Sequence, residues 1–85
     1  MKNIIAVFNS RNKALQFATM LKKMGIRNKS VDSPRELSAS CGISIVFDAG
    51  ALSRAKLILM RLNMFDFVKL YIITGDIFKK YHKIQ

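Results

Sequence analysis

Residues 4–8 read Ile-Ile-Ala-Val-Phe, without a polar position among them. Alternate side chains of a strand point to opposite sides of the sheet, so a strand that is apolar throughout must be covered on both faces. The run predicts a central strand over residues 3–8, and the rest of the chain has to be arranged around it. Asn9, Ser10 and Arg11 end it. The Ser10 hydroxyl can cap a helix by accepting an orphan backbone N–H. Ala14, Phe17, Ala18 and Leu21 then recur at helical spacing, which predicts a helix over 11–24 that stops at Gly25. Lys22 and Lys23 fall in its last turn, where the helix dipole favours cations.

A second strand is expected over 26–32. Its Arg27, Asn28 and Lys29 give it the composition of an edge, where charge discourages pairing with other chains. Ser33-Pro34-Arg35-Glu36 follows, with capping-box spacing from Ser33 to Glu36 and Pro34 at the first helical position, so one short helical turn is expected over 34–38. Gly42 permits a backbone turn that other residues resist. A third strand over 43–48 places Ile43, Ile45 and Phe47 on one face and Ser44 and Val46 on the other. The second helix, over 49–64, carries the stripe Ala51, Ala55, Ile58 and Leu62, widened by Leu52 and Leu59. A fourth strand spans 67–73.

The order βαββαβ is the ferredoxin-like α+β plan: a four-stranded antiparallel sheet with two helices on one face. Residues 1–73 form that domain and 74–85 a basic C-terminal tail. In the tail Ile77, Tyr81 and Ile84 share one helical face while Lys79, Lys80 and Lys83 lie elsewhere, which predicts an amphipathic helix. Right-handed crossovers make strands one and three central neighbours. Segment 33–42 then leaves the sheet at the end where the first helix begins, beside Asn9, Ser10 and Arg11. Strands one and four keep apolar residues on both faces, so the helix-free face is expected to be exposed and to need a partner. A homodimer through that open face is the expected occupant, with the folded-back tail or a ligand as the others.

The 85 residues suffice for one domain. The net charge of +10 suits an acidic partner, such as nucleic acid, an anionic membrane surface or an acidic protein. It is spread along the chain rather than blocked, as plain solubility also requires. No run approaches a membrane span, and residues 4–8 are too short for a signal-peptide core, so a soluble cytoplasmic protein without membrane attachment is expected. A single cysteine cannot form an internal disulfide, which fits a reducing compartment.

That cysteine, Cys41, is the only soft nucleophile. Thiolates react and thiols do not. The start of the first helix, Arg11 and Arg35 could each favour the thiolate, and the small neighbours Ala39, Ser40 and Gly42 leave the sulfur approachable. Backbone N–H groups of such a turn could also hold an anion. The alternative is a cysteine that serves as a small buried hydrophobe. A hydrolase would need a positioned base, and the one histidine, His82, is in the tail. One cysteine and one histidine do not furnish a tetrahedral metal site, so no metal or cofactor is expected. RNA-recognition domains share the βαββαβ order, but their third strand is basic and aromatic. Here it reads Ile-Ser-Ile-Val-Phe-Asp, and Phe8 and Phe47 are the residues that could stack on bases.

The run Ser-Pro-Arg-Glu-Leu-Ser-Ala-Ser-Cys-Gly over 33–42 resembles the hallmark loop of a small bacterial family described as selenium/sulfur carrier-like proteins. The likeness extends over about residues 3–73, with an opening strand, a helix ending near Met-Gly-Ile, and a closing strand. It implies that Cys41 is the carrier thiol, with Pro34, Arg35, Glu36, Ser40 and Gly42 shaping its loop and Ser10 and Arg11 beside it. It further implies donor and acceptor proteins for sulfur or selenium, and a carrier rather than a complete enzyme. The basic charge and the tail are not part of the likeness.

Overall fold

The computed structural model describes residues 2–37, 42–75 and 77–84. Strand β1, Asn3–Phe8, lies at the centre, followed by helix α1, Arg11–Lys23, strand β2, Asn28–Asp32, and a single 3-10 turn, Arg35–Leu37. Strand β3, Ile43–Asp48, leads through a second 3-10 turn, Ala49–Ala51, into helix α2, Leu52–Arg61. A third 3-10 turn, Phe65–Phe67, precedes strand β4, Val68–Thr74, and strand β5, Lys80–Lys83, ends the fold. The sheet order is β2-β3-β1-β4-β5, with every neighbouring pair antiparallel.

Side chains at alternate positions of the strands meet the two helices. Ile4, Ala6 and Phe8 of β1, Ile45 and Phe47 of β3 and Leu70 of β4 are buried against Ala14, Phe17 and Leu21 of α1 and Ala55, Ile58 and Leu59 of α2. Phe17 sits between two other rings, 5.4 Å from Phe8 and 5.8 Å from Phe47 by centroid, in the tilted and edge-on geometries that aromatic quadrupoles favour. Phe8 and Phe47 are therefore core residues on the helix side, and neither can stack on a base.

Both helices end in the same way. After α1, Gly25 N–H bonds Lys22 C=O at 3.1 Å and Ile26 N–H bonds Leu21 C=O at 2.9 Å. After α2, Asn63 N–H bonds Met60 C=O at 3.1 Å and Met64 N–H bonds Leu59 C=O at 2.9 Å. Gly25 and Asn63 hold the left-handed conformation that this Schellman closure requires, at φ 73° and 58°. The closure draws Ile26 and Met64 into the core, so β2 starts at Asn28 rather than at residue 26, and α2 stops short of residue 64. At the other end of α2, the Asp48 carboxylate accepts the Gly50 N–H at 2.9 Å and fixes a 3-10 turn where the sequence predicts regular helix.

Two expectations are corrected. The sheet has five strands rather than four, because the tail adds a strand, and its described residues form no helix. β5 pairs with β4 from Tyr71↔Lys83 to Thr74↔Lys80, and the Ile84 N–H continues the ladder to Leu70 C=O at 2.9 Å. The physical reason lies in β4, whose apolar residues would otherwise form a bare edge; a short, lysine-rich strand covers it and is itself a suitable edge.

The second correction concerns the helix-free face. Ile5 and Val7 point to that side, yet they are 1% and 5% exposed, and Ser44 beside Val7 is fully buried. The apolar centre of this face is thus covered within one chain rather than left bare. No helix among the described residues is long and apolar enough to cross a membrane.

Candidate functional site

Strand register brings the described ends of segment 33–42 and the start of α1 to one end of the sheet. Val7 pairs with Ser44, Phe8 with Val68, and Asp32 with Ile43, so β1 ends where segment 33–42 departs. Asn9 N–H bonds Phe67 C=O at 3.0 Å, and α1 starts two residues later at Arg11. The register thus sets the two described ends of 33–42 at the end of the sheet where β1 passes into α1.

Those ends are pinned together. Ser33 N–H bonds Gly42 C=O at 3.0 Å, one step beyond the β2–β3 ladder. The Ser33 and Ser44 hydroxyls bond each other at 2.6 Å, and Ser44 is fully buried. Gly42 then turns the chain back into β3 at φ 75°, a conformation that any side chain would strain. The Ser33 hydroxyl, expected to cap the following turn, is held by Ser44 and caps no backbone N–H among the described residues. The turn itself is a single 3-10 turn closed by Leu37 N–H to Pro34 C=O at 3.1 Å. Ser10 occupies the N-cap position of α1 with extended backbone, and its carbonyl accepts the Ala14 N–H at 3.1 Å. Its hydroxyl makes no cap bond, contrary to the sequence reading.

Pro34 is half-buried, while Arg11, Arg35, Glu36 and Gly42 are exposed. Pro34 forms one wall of a groove of about 410 Å3 on the helix-free face, with Ile5, Val46 and Ile73 as its floor and Tyr81 of β5 across it. Burial, and then the Glu36 carboxylate, push the Tyr81 hydroxyl above its ordinary pKa. The start of the loop thus leans over the sheet toward the C-terminal strand. Cys41 and Ser40, the predicted thiol and its neighbour, lie outside the described residues, as does Ser38 at the end of the predicted turn.

Two participants are absent from the sequence reading. Ser44 anchors the loop, and the lone polar residue between Ile43 and Ile45 was its signal. Tyr81 lines the same groove as Pro34 at the loop start, which a tail read as helix could not reveal. His82 is exposed on β5, with Nε2 3.1 Å from Thr74 Oγ1. Among the described residues no three His, Cys, Asp or Glu side chains come together as a metal site.

No curated protein and no solved structure matches the chain. A family model does, over residues 3–65, a span that runs from β1 through the pinned loop to the end of α2 and leaves β4 and β5 outside it. By that match the chain belongs to the family described as "Putative Se/S carrier protein-like".

Proposed function

We propose that the protein carries sulfur or selenium on Cys41 between a donor protein and an acceptor. The observation that carries this reading is the family match, which spans the whole of 33–42. The geometry of the described loop ends supports it. A carrier needs a thiol held on a defined support and open to two successive partners, not a full catalytic apparatus. The Ser33–Gly42 and Ser33–Ser44 bonds supply the support. Arg11 and Arg35, both exposed, bring positive charge to the loop, where it favours a thiolate.

The chemistry is thiol exchange. The Cys41 thiolate attacks the outer sulfur of a donor persulfide. The Cys41 S–S bond forms, the donor S–S bond breaks, and the donor leaves as a thiolate. An acceptor nucleophile then attacks the same outer sulfur and releases Cys41 as a thiolate. There is no net oxidation, and a selenosulfide would follow the same course. In a reducing compartment the lone cysteine stays available for this cycle.

The test is to incubate the protein with a cysteine desulfurase and cysteine, or with a selenium-donating counterpart, and weigh it intact. One added sulfur or selenium on the wild type and none on Cys41→Ser is expected; equal addition to both, or to neither, overturns the reading. The pH dependence of Cys41 alkylation is expected to show a midpoint below the free-thiol value of about 8.5.

A further inference from the structure

We propose that the helix-free face of the sheet binds single-stranded nucleic acid, with the backbone phosphates along the β4–β5 edge and the bases over Tyr71 and Tyr81. This goes beyond the carrier reading and does not depend on it.

The register defines the surface. One cross-sheet row on the helix-free side runs Lys29, Val46, Ile5, Tyr71 and Lys83, from β2 through β3, β1 and β4 to β5. Ile5 at its centre is covered, so the open part of the row is its β4–β5 end, with Tyr71 half-buried and Lys83 exposed. In the adjacent row Ile73 lies beside Tyr81. Both tyrosines of the chain therefore stand on this face, half-buried and next to each other's row. The groove between the loop start and β5 has an aliphatic floor and Lys29 and Lys79 among its lining residues. Lys69, opposite Val7, is also on this side and exposed.

Each part matches one part of a nucleotide chain. Aromatic faces stack on bases of any sequence, and ammonium groups on their rims neutralise phosphates. Asp32 lines the groove on its β2 side, so the loop side carries a carboxylate. This leaves Lys69, Lys79 and Lys83 as the phosphate path and orients the bases inward. Asp48 also lies on this side, but on β3, two strands away from β4. The excess of 15 basic over 5 acidic residues in the chain adds long-range attraction for a polyanion. An acidic peptide would satisfy the lysines but would leave the tyrosine faces and the aliphatic floor without a role.

The test is fluorescence anisotropy with a labelled mixed-sequence single-stranded RNA. Binding is expected at low salt, with log K falling against log salt at a slope of roughly −2 to −3, as three or four neutralised phosphates give for a single strand. Tyr81→Ala and Tyr71→Ala are each expected to weaken binding about fivefold to a hundredfold, and Tyr→Phe at either site to restore it. Lys79→Gln with Lys83→Gln, both exposed positions, should lower the slope by about 1 without disturbing the fold. Lys22→Gln with Lys23→Gln, at the far end of α1, should leave the tyrosine dependence intact. No binding at low salt, or loss through Lys22 and Lys23 equal to that through Lys79 and Lys83, overturns the proposal. So does equal competition by poly-glutamate with no effect of either tyrosine substitution.

Discussion

Among the described residues, chain neighbours aside, no atom lies within 4 Å of where a Cβ on Gly42 would stand, so the backbone at φ 75° is what resists a substitution there. Gly42→Ala is expected to cost about 1–2 kcal/mol in urea unfolding, the penalty of holding an L-residue in the left-handed region. Gly42→Asn should cost less, because asparagine tolerates that region. Equal, negligible costs for both would mean that the loop does not need this turn. Tyr81 tests the other side of the loop. Its raised pKa means that folding favours the neutral phenol. The corresponding stability is present below the ordinary tyrosine value of about 10 and is lost as pH rises through the folded-state value. Ultraviolet titration in a Tyr71→Phe background should place the Tyr81 midpoint above that of a free tyrosine. Glu36→Gln should lower it only in part, since burial is the larger cause. An unchanged midpoint would place Glu36 away from Tyr81. What was legible is the plan: a segment carrying Pro34, Arg35, Glu36 and Gly42 joins β2 to β3 at the end of the sheet where α1 begins, while the roles of those residues and of Arg11 belong to the proposal. The Ser33–Ser44 bond was not, because a hydroxyl pairs with whatever the register sets opposite it, and capping-box spacing described a different partner.

At the level of elements, the sequence specified most clearly those strands whose residues are buried on one or both faces. β1 and β3 fall at the expected bounds, since a shift of one residue would expose Ile4, Phe8, Ile45 or Phe47. Boundaries near helix ends moved by a few residues, because the Schellman closures at Gly25 and Asn63 claim Ile26 and Met64 for the core. The tail was misread for a specific reason. Ile77, Tyr81 and Ile84 fit a helical stripe, while the alternation of Lys80, Tyr81, His82 and Lys83 is too short to outweigh it; the deciding factor is the unpaired edge of β4, which is tertiary. Removal of residues 75–85 tests that account. It withdraws Tyr81 and the Ile84 side chain packed on the core, and leaves β4 with an open edge. A loss of about 2 kcal/mol in urea unfolding is expected from the burial alone. The shortened chain should also self-associate in sedimentation runs, because an apolar edge strand is a template for pairing. A truncated protein that is monomeric and as stable as the full chain would show that β5 is not what protects β4.

For the whole molecule, charge and size together set a testable balance. A net +10 is confined to a body of 33 × 27 × 19 Å. At about 0.01 M ionic strength the Debye length, about 30 Å, is as long as the molecule, so each cation feels most of the others; near 0.15 M it is about 8 Å and only neighbours interact. Folding brings these charges closer than the expanded unfolded chain does, so their repulsion opposes the compact state and salt should relieve it. Stability in urea is therefore expected to rise between those two sodium chloride concentrations, by on the order of 1 kcal/mol, which at an m-value near 1 kcal/mol/M moves the midpoint by about 1 M. Matched ionic strengths of chloride and phosphate separate two causes. Screening alone gives the same midpoint in both, whereas an anion held on the lysines of the helix-free face gives an additional gain in phosphate that Lys79→Gln with Lys83→Gln removes. A midpoint that stays flat or falls with sodium chloride would mean that the five acidic residues already compensate the repulsion locally, and the long-range attraction invoked for a polyanion would lose its source.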